Sequence, residues 1–350
     1  MNRQMPTETI EFVRLIDLLE YMEEFNIDAQ ALLKEAKLSH KALVEYQQKN
    51  AVPSHVYAHL YHVALNTLPK EVKEKFWGGG FTSRSFKLAV YAMASAKTLR
   101  AALARTQQLH EIIEDKHPRI SISTSKDTVK LVFHPAILSD TPELKQLTNP
   151  VIPGLCLWHS LLSWMIGKHI ALSKVNIHIS THPEKSNDKI KRLLYIDGVS
   201  FGGTESYFEF AAAVLDSAIV VSTDSLDHYL EYSPHKPMLL EPKSNSITKR
   251  VQAIIGDDFS RGLPSFEQLA DRLELSPSSL RRQLLHEKTS YQSIKDQTRK
   301  QIAINLLTTT ELPIGVIAEK IGLAGQGSFS RLFKQWQNIS PQQYRHKHSL

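Results

Sequence analysis

The chain has 350 residues, of which 42% are hydrophobic and 22% charged, long enough for two packed domains and too apolar for a disordered chain. Its single cysteine, Cys156 in the apolar run GLCLWH, excludes an internal disulfide and a cysteine-based zinc cluster and fits a reducing, cytoplasmic setting. The net charge of +6 is unevenly placed: residues 243–350 carry 16 Lys and Arg against 9 Asp and Glu, while the remainder carries 26 against 27, the pattern of a polyanion-binding domain joined to a neutral one.

The N-terminal segment MNRQMPTETIEF lacks an apolar signal core. Residues 1–75 then alternate apolar and polar at helical spacing, with Ile16, Leu19, Leu32, Leu33, Leu38, Leu43, Val56, Leu60, Val63 and Leu68 expected inside. Breaks fall at Asn26-Ile27-Asp28 and Pro53-Ser54. Gly78–Gly80 form a plain turn, because a phosphate loop would need a preceding strand and a Lys-Ser/Thr end. Residues 88–114 read as one long helix or two, packed through Ala89, Ala92, Ala96, Ala101 and Ala104.

The period then changes. RISIS at 119–123 and TVKLVFH at 128–134 alternate every second residue about Lys126-Asp127 and predict a hairpin. Residues 151–166 are the most apolar stretch, but too short for a membrane span and interrupted by Pro153 and His159, so they predict a buried core helix. Strands are expected at 174–180, 199–201 and 207–210, and helices at 188–196 and 215–230. The N-terminal domain, residues 1–232, is therefore α+β. Three prolines in residues 233–245 mark a linker. Residues 246–350 form an all-α domain that opens with an amphipathic helix carrying Ile247, Val251, Ile254 and Ile255.

That last domain holds two helix-turn-helix signatures in tandem. In the first, at about 265–287, Ser265 and Gln268 form a capping-box pattern, and Leu269, Ala270 and Leu273 pack the supporting helix. Ser276-Pro277 starts the reading helix, with Leu280, Leu284 and Leu285 expected inward. Ser278, Ser279, Arg281 and Arg282 lie outward near its N-terminal end, the part that meets base edges. Arg281 and Arg282 read equally well as solvated charges when taken alone. A connecting helix follows through Ile294, Ile302, Ala303, Leu306 and Leu307, with Arg299 and Lys300 beside that face and within reach of phosphate. In the second signature, at about 314–337, Gly322 closes the supporting helix, and Gln326, Gly327, Ser328 and Ser330 head the reading helix ahead of Arg331 and Lys334. Those residue types pair with adenine, guanine or phosphate. Phe329, Phe333 and Trp336 recur at i, i+4, i+7 and are expected in the core. Two such units on one rigid helix could enter successive major grooves about 34 Å apart.

Taken together these residues resemble the AraC/XylS family of transcription regulators. The resemblance covers about residues 246–346 and runs through Arg299, Ala303, Leu306-Leu307, Ile314, Ile317-Ala318, Gly322, Phe329, Ser330-Arg331, Phe333-Lys334, Ser340-Pro341 and Tyr344-Arg345. Leu323 stands where the family usually has Phe, and Asn338-Ile339 replaces the usual Gly and small residue. The N-terminal domain is similar to the arabinose-binding-like class found in ornithine-type and virulence-type regulators, on Trp77-Gly78, Thr98–Leu103 and residues 175–216. The resemblance implies a sensor and oligomerisation domain for a small molecule, a double-stranded DNA partner, contact with RNA polymerase, an activator role, and a homodimer in some members. It implies no cofactor, no metal and no membrane.

An architectural DNA-binding protein would not need an N-terminal domain of about 230 residues. A DNA-modifying enzyme would need a thiolate cluster or activated cysteine, and Cys156 sits in an apolar run. None of the 16 histidines forms an HExxH motif, and no convincing paired-carboxylate site is found.

Overall fold

The computed structural model describes residues 9–23, 25–68, 83–113, 120–134, 151–178, 191, 194, 196, 198–221, 226, 246–256, 258–260 and 262–348. These fall into two compact bodies that interleave along the chain. One takes in the described residues of 69–226 and 234–254, the other those of 1–68 and 255–350. The expected linker, the glycines at 78–80 and most of the expected helix at 188–196 lie outside the described residues.

The first body is built on a five-stranded sheet of order β3-β4-β7-β5-β6, with β3 (Ile120–Thr124), β4 (Thr128–Phe133), β5 (Leu172–Ile177), β6 (Ser200–Phe201) and β7 (Ser206–Ala211). Only β5 and β6 run parallel; the other neighbours are antiparallel, and the expected hairpin pairs Ile120 with Phe133 and Thr124 with Val129. Two-residue periodicity sorts the faces. Val129, Leu131, Phe133, Phe208 and Phe210 are buried. On the other face the Lys130 ammonium lies 2.6 Å from Glu205 and 4.2 Å above the Tyr207 ring.

The apolar stretch forms a helix, Val151–Met165, packed on β4 and β7. Gly154 is required there: a Cβ would lie 2.4 Å from the Phe133 ring, which is itself buried. The helix's polar residues are spent on the fold. His159 donates from Nε2 to the Ile170 carbonyl (2.8 Å), and Ser163 Oγ accepts from the Ile170 amide (3.1 Å). Burial pushes the His159 pKa down to about 4, so the ring stays neutral inside the core.

Residues 88–113 divide into two helices, Ser83–Ala94 and Leu99–Ile113. Ala102 is buried where Ala104 was expected, and Ala104 is exposed. The helix expected at 215–230 is not formed over its first part. A short 3-10 turn, Ala212–Asp216, gives way to an extended bridge in which Ala218 pairs with Thr98, the Leu99 amide bonds the Ser217 carbonyl and the Ile219 amide bonds the Lys97 carbonyl. Helical spacing could not reveal this cross-chain pairing. The amphipathic helix Ile247–Ile255 forms as expected, with Ile247, Val251, Ile254 and Ile255 buried.

The second body is helical. Its N-terminal part contains α1 (Phe12–Glu23), α2 (Ala29–Glu35), α3 (His40–Lys49) and α4 (Ser54–Thr67), with a two-residue ladder joining β1 (Thr9–Ile10) to β2 (Val52–Pro53). Asp28 and Ser39 cap α2 and α3, and Asn50 ends α3 in the left-handed conformation. In α1 the buried stripe is Leu15, Leu18, Leu19 and Met22; Ile16, expected inside, is only half-buried. The C-terminal part contains α5 (Phe266–Arg272), α6 (Pro277–His286), α7 (Tyr291–Thr309), α8 (Ile314–Lys320), α9 (Gln326–Gln337) and α10 (Pro341–His348).

A lock at the centre of this body fixes the two helix-turn-helix units to each other. The 19-residue helix α7 is about 28 Å long. Its start is held to the first unit by the Tyr291 hydroxyl, which donates to the Pro264 carbonyl (2.7 Å). At its middle, Arg299 donates from Nε to the Ile321 carbonyl (2.8 Å) and from Nη1 to Asp296 (3.0 Å), with its guanidinium 5.5 Å over the Phe259 ring. The Phe259 amide in turn bonds the Lys320 carbonyl (2.7 Å). Gly322, at φ +70°, lets this approach occur, since a Cβ would meet the Phe259 Cβ at 3.1 Å and its carbonyl oxygen at 3.2 Å. Lys320 pairs with Asp258 at 3.3 Å. Burial alone would raise the Asp258 pKa, but two hydrogen bonds from Ser260 and the Lys320 charge outweigh it and hold the carboxyl below its ordinary value.

Arg299 therefore differs from its expected place at the phosphate backbone. Its side chain is 16% exposed and committed within the protein. Arg299→Ala strands the Ile321 carbonyl and should lower stability by about 1–3 kcal/mol in denaturant unfolding of the full chain. Arg299→Lys should recover little, because an ammonium cannot make both bonds in this geometry. The salt dependence of DNA binding should keep its slope; a slope reduced by about one with unchanged stability would return Arg299 to the phosphate.

Candidate nucleic-acid interface

In the first unit the supporting helix α5 begins at a complete capping box: Ser265 Oγ accepts from the Gln268 amide (3.2 Å), and Gln268 Oε1 accepts from the Ser265 amide (2.9 Å). Leu269, Ala270 and Leu273 are buried, and Glu274 turns the chain in the left-handed conformation at φ +57°. Ser276 caps the reading helix α6, accepting from the Ser279 amide (3.2 Å), with Pro277 at the first position. Leu280 and Leu284 anchor α6 from below. Ser278, Arg281 and Arg282 are exposed on its outer face; Ser279 is half-buried, and its hydroxyl lies 3.0 Å from the Ser276 hydroxyl. Arg281 rests 5.5 Å over the Phe266 ring, a cation–π contact that holds its side chain across the two helices.

Leu285 corrects the sequence reading. Expected inward, it is 68% exposed. Leu280 and Leu284 already fill the helical stripe at i, i+4, and one residue further on the helix has rotated by about 100° out of the core.

The second unit repeats this plan with different anchors. Phe329 and Phe333 are fully buried, their rings edge-on at 5.5 Å; Phe333 also meets Tyr344 at 5.2 Å and the half-buried Trp336 at 6.2 Å. The aromatic stripe is thus core, as its spacing implied. On the reading helix α9, Gln326, Gly327, Ser328, Arg331 and Lys334 are exposed and Ser330 is half-buried. The last helix, α10, starts at a second reciprocal cap between Ser340 and Gln343. Arg345 ties it to the entrance of the unit by donating to the Leu312 carbonyl (2.6 Å).

Neither reading helix contains an Asp or Glu. Each presents an exposed cationic face, Arg281-Arg282 on one and Arg331-Lys334 on the other, with short hydroxyl and amide side chains nearer its start. A surface of this composition attracts phosphate and can hydrogen-bond base edges without opposing carboxylates. Ten of the eleven residues singled out from the sequence lie on these two helices; Arg299 lies in the lock. Sequence reasoning missed Phe259 and Asp258, which sit in a short segment without periodicity and act only through contacts with residues some 40–60 positions away in the chain. Among the described residues, no group of three or more His, Cys, Asp or Glu could hold a metal ion, and no helix is long and apolar enough to cross a membrane.

Comparison with known proteins agrees with this geometry. Residues 27–219 match the arabinose-binding domain of AraC transcription regulators, N-terminal, and residues 269–347 match a helix-turn-helix domain. The ornithine utilization regulator of Pseudomonas aeruginosa is 42% identical over 82 residues, 23% of this chain and 24% of that protein. The regulator VqsM of the same organism is 27% identical over 133 residues, 38% of each chain. The chain thus aligns with well under half of the length of these relatives. A crystal structure of the transcriptional regulator CdpR from Pseudomonas aeruginosa covers 94% of this chain and 98% of its own at 18% identity, with a TM-score of 0.32. These matched domains and relatives are transcription regulators, not enzymes. With its N-terminal match spanning more than half of its length and a tandem reader behind it, the chain belongs to the AraC family of DNA-binding transcription regulators, with an N-terminal ligand-binding domain.

Proposed function

We propose that α6 and α9 enter two successive major grooves on one face of duplex DNA, and that a small molecule bound within residues 1–232 controls this binding, or a contact with RNA polymerase, to activate transcription in the cytoplasm. The carrying observation is the pair of acid-free, cationic reading faces, held at a set separation by α7 and the Arg299 lock. Ser278, Arg281 and Arg282 read one half-site, with Ser279 at its edge. Gln326, Gly327, Ser328, Ser330, Arg331 and Lys334 read the other. Arg299 contributes by positioning. Residues 233–245 connect input to output, and a homodimer would extend the site without being needed for two-groove contact.

An operator is first selected from random duplexes with the full chain. Arg282→Ala and Arg331→Ala should then each weaken binding by about 1–3 kcal/mol and relax base preference, each in a different half-site. Affinity should also fall steeply with salt. Salt-independent binding, or equal relaxation at both half-sites by both variants, contradicts the two-groove reading. A thermal-shift screen of amino acids and fatty acids tests the effector. A true ligand at 100 times its dissociation constant should stabilise the full chain by about 2.7 kcal/mol. A screen without any shift would favour an effector-independent regulator.

A further inference from the structure

The connecting helix α7 is buried on more sides than two reading units require. Ile302, Ala303, Leu306 and Leu307 form the inward stripe expected from the sequence. Gln301, Ile304 and Thr308 lie on another side of the helix, at i, i+3, i+7, and Ile304 and Thr308 are 2% and 4% exposed. A helix buried on two sides must be covered on both. Here α4 packs against α7, and Gln301 Nε2 donates to Ser54 Oγ across 3.2 Å. Ser54 is buried, and Ala58, one turn further along the same face of α4, is small and buried as well. The N-terminal helix α4 therefore meets α7.

This contact falls on the second reading unit's side of the lock. The first unit is tied to the start of α7 through Tyr291, whereas Gln301, Ile304 and Thr308 approach the end from which α8 continues. Helix α10 supports α9 through the Phe333–Tyr344 contact and holds Leu312 through Arg345. The arabinose-binding match begins at residue 27, so α2–α4 belong by sequence to the input domain while α4 packs on the output helix. Directly after α4 the chain continues into the sheet-containing body.

We propose that the seat of α4 on α7 is a control surface for the second reading unit, through which the input domain changes how α9 meets DNA. This rests on the DNA-reading function proposed above. Loosening the seat leaves the first unit's preference in place and degrades the second's.

The test uses the full chain and its selected operator, with the half-sites assigned by Arg282→Ala and Arg331→Ala. Gln301→Ala removes the donor from one side of the seam, and Ala58→Phe wedges the other. Each should reduce the penalty for base changes in the Arg331 half-site by at least about threefold, while penalties in the Arg282 half-site stay within about twofold. Amide hydrogen exchange should rise in residues 54–67 of the same variants. If Ala58→Phe fails to fold, Gln301→Ala alone decides. Equal effects on both half-sites, or unchanged preference at both, overturns the proposal. Failure of the wild-type chain to bind any duplex would instead remove the DNA-reading function on which it rests.

Discussion

The guanidinium of Arg299 is the point on which the reader's geometry depends. One side chain bonds the Ile321 carbonyl and Asp296 and covers the Phe259 ring, so it joins the connecting helix, the turn of the second unit and the segment that precedes the first. Planarity and several fixed donors suit arginine to this task in a way lysine does not share. Gly322 is its counterpart in the backbone, because a side chain there would hold Phe259 away. For the proposed two-groove binding, a flexible tether would add an entropic cost that a locked helix about 28 Å long meets during folding.

Around the lock, α6 and α9 each separate an anchoring face from an exposed polar face. Leucines hold α6 and phenylalanines hold α9 from beneath, leaving the outer faces to serine, glutamine and cations. Side-chain caps at Ser265, Ser276, Ser290 and Ser340 set the starts of α5, α6, α7 and α10, whereas α9 starts at Gly325 without one. The sheet-containing body follows a different logic. Its apolar helix buries His159 and Ser163 only because the Ile170 backbone satisfies them, which makes those residues parts of the core.

Much of this was legible in the sequence because it is local. Caps, the Gly turn, the i, i+4, i+7 aromatic stripe and the two-residue alternation of β3, β4 and β7 all report on neighbours a few residues away. What was not legible depends on partners far along the chain. Phe259 gains its role from Arg299 and Gly322. Thr98 and Ala218 pair across more than a hundred residues, replacing the start of an expected helix with extended chain. Ile304 on α7 is covered by a part of the chain that sequence assigns to the other half. Leu285 shows the opposite failure: three leucines within six residues looked like one stripe, but only two of them fit a helical face.

The central claim is a reader of fixed span, and operator spacing tests it most directly. Binding of the full chain would be measured on the selected operator and on duplexes with 5 or 10 base pairs inserted between the half-sites. A locked α7 predicts that both insertions reduce affinity to that of a single half-site, even though 10 base pairs restore the helical face. Full affinity with the 10-base-pair insertion would contradict the account, because it would require the two units to move apart.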